Sequence, residues 1–135
     1  MTREEIQNMS AGREMDALIA EKIFGWSWNG NFLLPPSDHP ASVNHWCAEW
    51  DDDGRPHWLP NYSTDLTTAW EVVEKIGEWR GFEFLMRRYC MSEKQWQAGW
   101  FEDGYDGYET RVSAESELPA LSICRAALLA VMEAE

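Results

Sequence analysis

Basic residues are scarce in this sequence: 11 lysines and arginines stand against 24 aspartates and glutamates, a formal net charge of −13. A surface this acidic repels duplex DNA, RNA and anionic membranes, so neither a general nucleic-acid binder nor a membrane-surface protein is expected. A small anion remains open, because a few arginines and a helix N-terminus decide such binding over short range. Cysteine is rarer still. Cys47, Cys90 and Cys124 lie far apart with no C-x-x-C pair, which argues against a disulfide framework or a zinc ribbon and for reduced, mostly buried thiols. No apolar run approaches the ~18 residues of a membrane span, and the opening residues lack the apolar core of a signal peptide, so the cytoplasm is the expected location. Catalytic signatures are missing too: no H-E-x-x-H, G-x-S-x-G or P-loop spacing occurs. His39, His45 and His57 could in principle join Cys47, Asp51 to Asp53 or Asp65 in a metal or acid–base site, but structural or solvent roles are expected for them. The expectation is a protein that is not an enzyme and needs no metal or cofactor.

What the sequence does have is tryptophan. Nine tryptophans, five phenylalanines and four tyrosines fall in 135 residues, a length for one domain spanning 1–135. Some of these rings build a small aromatic core, and others are candidates to stack on a planar ligand. One small core is unlikely to hide all of them, so a homo-oligomer is expected.

The segment 60 to 79 organises the chain. Pro60 disfavours helix just before it, Ser63 or Thr64 caps, Asp65 complements the helix dipole, and Leu66, Ala69, Trp70, Val73 and Ile76 follow the spacing of one buried face, predicting a helix over 64–77. Its first turn offers open N–H groups and two hydroxyls, a recipe for holding phosphate or carboxylate. The same residues are also the commonest helix caps; convergence of an arginine and an aromatic on that turn would favour binding.

Around this helix the other elements follow in order. A capping-box pattern at Thr2 to Glu5 starts a short helix that breaks at Ala11 and Gly12. Met15, Leu18, Ile19 and Ile23 then share one face of a helix over 12–24, with Gly25 at its end. Residues 26 to 40 read as a loop folded over the core and carrying Trp26, Trp28 and Phe32. Alternation over 41–50 and a short return at 57–59 read as a hairpin, and 82–91, 95–102 and 108–113 as a three-stranded meander. The last helix, 118–132, tolerates Pro119 in its first turn and is apolar on nearly every side, so it is buried. Its polar exceptions, Ser122 and Arg125, need partners; Glu14 or Asp16 is the expected one for Arg125, a bound anion the alternative. The fold class is α+β in the order α-β-β-α-β-β-β-α: an antiparallel sheet of about five strands layered with helices as an α/β/α sandwich.

Residues 11 to 22 (AGREMDALIAEK) with Trp26, 62 to 65 (YSTD) with 69 to 75 (AWEVVEK), and 121 to 128 (LSICRAAL) together resemble the phage ABA sandwich domain. The resemblance covers nearly the whole chain and implies helical layers about an antiparallel sheet in a small phage protein of the host cell cytoplasm. It implies no particular reaction. The phage setting makes an anti-defence accessory role the expectation: a non-catalytic binder that sequesters a nucleotide-like, phosphate-bearing immune signal. Ser63, Thr64 and the free N–H groups of the helix start beside Asp65 would take phosphate, Arg13 or Arg125 would supply charge, and Trp26, Tyr62 or Trp70 would stack. The alternative is an acidic module that binds and inhibits a host protein.

Overall fold

The computed structural model describes residues 2–36, 46–47, 59–77, 83–88, 96–104 and 107–134. Helices α1 (Arg3–Asn8) and α2 (Arg13–Lys22) precede strands β1 (Ser27–Asn29), β2 (Phe32–Leu34) and β3 (Trp46–Cys47). Helix α3 (Leu66–Ile76), strands β4 (Glu83–Arg88), β5 (Trp96–Gly104) and β6 (Gly107–Ser116), and helix α4 (Pro119–Ala134) complete the order. Thr2 caps α1 by accepting the Glu5 N–H at 3.1 Å, as the capping-box pattern predicts. The cap of α3 differs from expectation. Asp65, not Ser63 or Thr64, accepts the Thr67 N–H at 3.2 Å and the Thr68 hydroxyl at 2.8 Å, because Ser63 is drawn into the interior by another element.

The chain is an α+β domain of antiparallel strands and helical layers, but the described strands form two sheets rather than one of about five. The meander β4-β5-β6 is as read from the sequence. The segment expected to be a loop, 26 to 40, instead contributes a hairpin: Ser27 pairs with Leu34 and Asn29 with Phe32 around a two-residue turn at Gly30 and Asn31. A Gly/Asn turn between aromatic and apolar residues is a hairpin signal, and the neighbouring prolines obscured it. Strand β3 pairs with β2 at Phe32 and Leu33, so the described part of 41–50, Trp46–Cys47, has this hairpin as its partner. Of the return strand expected at 57–59, residues 57 and 58 lie outside the described residues, and Leu59 belongs to no strand.

Phe84, Met86, Ala98, Trp100, Val112 and Ala114 share the inner face of the meander and join the core. Helix α4 packs against β5, β6, α3, α2 and α1. That surround explains its all-round apolar sequence, with Ala120 through Ala130 buried. Ser122 satisfies its hydroxyl against Ser116 Oγ at 2.8 Å and the Trp96 carbonyl at 3.1 Å. On α3, Ala69, Val72 and Val73 are buried, whereas Leu66 and Trp70, expected on the same face, are exposed. The sequence spacing located the stripe but placed its centre one position off.

Gly99 sits opposite Ser113, where a Cβ would come within 2.2 Å of the Val112 carbonyl oxygen and 2.7 Å of Ser113 Cα. Both neighbours are backbone and cannot yield without moving the β5–β6 ladder. Gly99→Ala should therefore cost about 1–3 kcal/mol, the range of an overpacked core, read from urea unfolding; an unchanged midpoint would contradict this close approach.

Candidate functional site

Two of the residues expected to bind an anion, Arg13 and Ser63, converge, but on the carboxyl group of Asp16. Asp16 lies one turn into α2 and is buried, and its Oδ1 accepts the Ser63 N–H at 2.8 Å and the Ser63 hydroxyl at 2.7 Å. Ser63 Oγ in turn accepts the Gly12 N–H at 2.9 Å. A hydroxyl has one proton to give, and the shorter contact assigns it to Asp16 rather than to the Gly12 carbonyl at 3.2 Å. Gly12 holds φ 149° before the first turn of α2, a backbone region close to glycine-only; this brings its N–H to Ser63.

Arg13 closes the node from its rim. Its guanidinium donates to Asp16 Oδ2 at 3.1 Å, to Asn61 Oδ1 at 2.6 Å and to the Leu59 carbonyl at 2.6 Å. One side chain thus fastens the whole approach to α3 onto the start of α2. Burial pushes the Asp16 carboxyl above the usual carboxylate range, against the opposing pull of Ser63 and Arg13. Tyr62 beside it is buried and stacks on Phe24 at 5.0 Å between ring centroids with 11° between planes. Burial, with Glu71 and Asp16 adding to it, pushes the Tyr62 phenol up.

Arg125 is internal as expected, but its partners are not Glu14 or Asp16. Nε and Nη2 donate to the Met9 carbonyl at 3.0 and 2.7 Å, and Nη1 donates to the Glu115 carbonyl at 2.7 Å. Met9 is the C-cap of α1, so the guanidinium meets the electronegative end of that helix. Asp16 was available to neither side: Ser63 and Arg13 had claimed it. Burial lowers the Arg125 pKa, with Glu117 opposing.

Of the remaining candidates, Trp26 is buried in the core, while Thr64 and Asp65 are exposed. Trp70 is different. It is 45% exposed and meets Phe84 edge-on at 5.7 Å, and Phe84 meets Trp100 edge-on at 5.3 Å. Trp100 donates its indole N–H to the Gly77 carbonyl at 3.1 Å. A run of rings thus reaches from the core to the surface, where an open groove of about 500 Å³ is lined by Leu66, Thr67, Trp70, Glu71 and Glu74. Sequence reasoning named Trp70 as a candidate but missed Leu66, Thr67, Glu71 and Glu74; the acidic residues beside an exposed ring were the available signal.

Among the described residues no group of histidine, cysteine, aspartate or glutamate is placed to hold a metal ion. Cys124 is a free, buried thiol. The histidines, Cys90 and Asp51 to Asp53 lie outside the described residues. No described helix is long and apolar enough to cross a membrane.

An α+β domain with its last helix enclosed and its loops tied by a buried carboxylate defines a layered sandwich without an evident reaction centre in the described residues. The chain belongs to the phage ABA sandwich domain family, whose model matches residues 17–128. It is similar in fold to the crystal structure of a phage protein from Bacillus cereus ATCC 14579, with a TM-score of 0.56, 23% identity, and 93% of this chain and 91% of that one covered. No curated protein matches the chain.

Two outcomes test the node. Ser63→Ala strands the Gly12 N–H and one acceptor position of Asp16, and should cost about 1–3 kcal/mol. Arg125→Ala strands two carbonyls and empties a larger volume, so its loss of stability should be the greater of the two by urea unfolding. The second outcome concerns pH. The folded-state value of Asp16 is raised, so its contribution is complete below the ordinary value of 3.8 and is lost as pH rises through the raised one. The stability of the parent relative to Asp16→Asn should therefore fall as pH increases above about 4. A difference that grows with pH would show that the charged form is the favoured one.

Proposed function

We propose that the chain is a non-catalytic phage accessory protein that binds a host protein through the exposed face of α3, in the host cell cytoplasm. The observation that carries this reading is the division of labour among the candidate residues. Of the groups suited to phosphate, the Ser63 hydroxyl, Arg13 and Arg125 already have protein partners, and Thr64 stands at the surface. The group suited to an apolar partner, the Trp70 ring, is at the surface beside Leu66. Exposed aromatic anchors held in place by a core are the usual centres of protein interfaces. With a net charge of −13, the surrounding field steers such encounters and selects among them.

Sequestration of a nucleotide-like signal is the second reading, and exposed Trp70 favours it as a surface for base stacking. Glu71 and Glu74 line the same groove and repel phosphate, which places this reading behind the first. The expectation of a homo-oligomer is also narrowed. Trp26, Tyr62, Trp100 and Phe101 are buried, so among the described residues it rests on Trp28 and Trp70.

A photo-crosslinking residue at Thr67, introduced into the full chain produced in host cells, should join it to a host protein near one-to-one stoichiometry. Native mass spectrometry of the same preparation should find no co-purifying small molecule. A nucleotide retained by the parent protein and lost on Trp70→Ala would replace the first reading with the second.

A further inference from the structure

Resting on that host-protein reading, we propose that the α3 face takes a basic amphipathic helix with a pair of apolar anchors. Leu66, Thr67, Trp70, Glu71 and Glu74 fall at positions i, i+1, i+4, i+5 and i+8, one stripe along the helix. The stripe has two seams. Leu66 and Trp70, 42% and 45% exposed, form an apolar one, and Thr67, Glu71 and Glu74 form an acidic one beside it. Helix α3 has 11 residues, about 16 Å of length, enough to align two to three turns of a partner. Side chains three and four residues apart form the ridges against which another helix packs, which selects a helix over an extended segment.

Charge decides which helix. A second copy laid on the same face would bring Glu71 and Glu74 against their equivalents, so like charges oppose an isologous contact. A helix with lysine or arginine beside its apolar pair pairs with both carboxylates. Those pairs are exposed and screened, so they select the partner, and the apolar anchors supply most of the affinity. Trp70 is well suited to that task because its ring already rests on Phe84, which Trp100 braces in turn, so less freedom is lost on binding. The face is small against a stable interface of roughly 1,200–2,000 Å², so micromolar affinity is expected from it alone.

The test uses the full chain and labelled synthetic peptides of roughly 15 residues, a length near the minimum for a helix. The probe carries leucine and phenylalanine four apart, with lysine and arginine on the adjoining seam. One control is a scramble of the same charge, and the other replaces the basic residues with glutamate. Fluorescence anisotropy should show micromolar binding of the probe alone, weakened about tenfold or more by Trp70→Ala, the loss expected of an interface anchor. The double variant Glu71→Lys, Glu74→Lys should lose the probe and gain the glutamate peptide; this exchange cannot follow from unfolding. The proposal is overturned if the scramble binds as well as the probe, or if Trp70→Ala leaves binding unchanged. It is equally overturned if the parent protein sediments as a dimer that Trp70→Ala converts to monomer, since a second copy then owns the face. A host protein crosslinked at Thr67 with no peptide binding would retain the host-protein reading and discard the basic helix, whereas a co-purifying nucleotide would remove the reading itself.

Discussion

The buried contact between Asp16 and Ser63 is the constraint on which the other arrangements depend. A carboxylate removed from water is costly unless its oxygens are met by donors, and here three donations come from two segments far apart in sequence: the Ser63 N–H, the Ser63 hydroxyl and the Arg13 guanidinium. Meeting that requirement fixes residues 59 to 63 against the start of α2. It thereby fixes where α3 begins, with Asp65 as its cap. Tyr62, carried in by the same turn, fills the space beside Phe24. The segments that carry the resemblance to the phage ABA sandwich domain, 11 to 22 and 62 to 65, are the two that meet at this contact.

Helix α4 places the opposite demand on its surroundings. Its apolar circumference has to be covered on all sides, and β5, β6, α1, α2 and α3 cover it. Arg125 is the exception within that shell, and it binds carbonyl oxygens instead of a carboxylate. The result ties the short α1 and the end of β6 to the central helix without a second buried negative charge. The two buried arginine and aspartate systems therefore serve different joints: Asp16 joins α2 to the approach of α3, and Arg125 joins α1 and β6 to α4.

With Ser63 and Arg13 committed to Asp16, the exposed face of α3 presents Leu66 and Trp70 beside an acidic border. Its rigidity comes from the Trp70, Phe84 and Trp100 rings and the indole hydrogen bond to Gly77. On the proposed host-protein reading, such a surface would recognise its partner through an apolar anchor and through charge selection.

The sequence by itself determined the α+β class, the family, the meander and the positions of the four described helices. Periodicity, caps and turn residues are local signals that survive without knowledge of contacts. It also determined that Arg125 is internal, since a lone guanidinium on an apolar helix has no other consistent place. Only the tertiary structure decided its partners, because Glu14, Asp16 and backbone carbonyls are equivalent as acceptors until packing shows that Ser63 and Arg13 have taken Asp16. The same holds for Ser63 and Thr64. A hydroxyl before a helix is equally good as a cap, an anion ligand or an internal donor, and the choice was made by a carboxylate 47 positions away. The hairpin at 27 to 34 was legible only in its Gly30 and Asn31 turn, and the division into two sheets was not legible, because strand pairing is set by distant contacts that no local pattern encodes. Burial of Leu66 and Trp70 was misjudged for a related reason: helical spacing defines a stripe, but which edge of it faces water depends on where the neighbouring sheet ends.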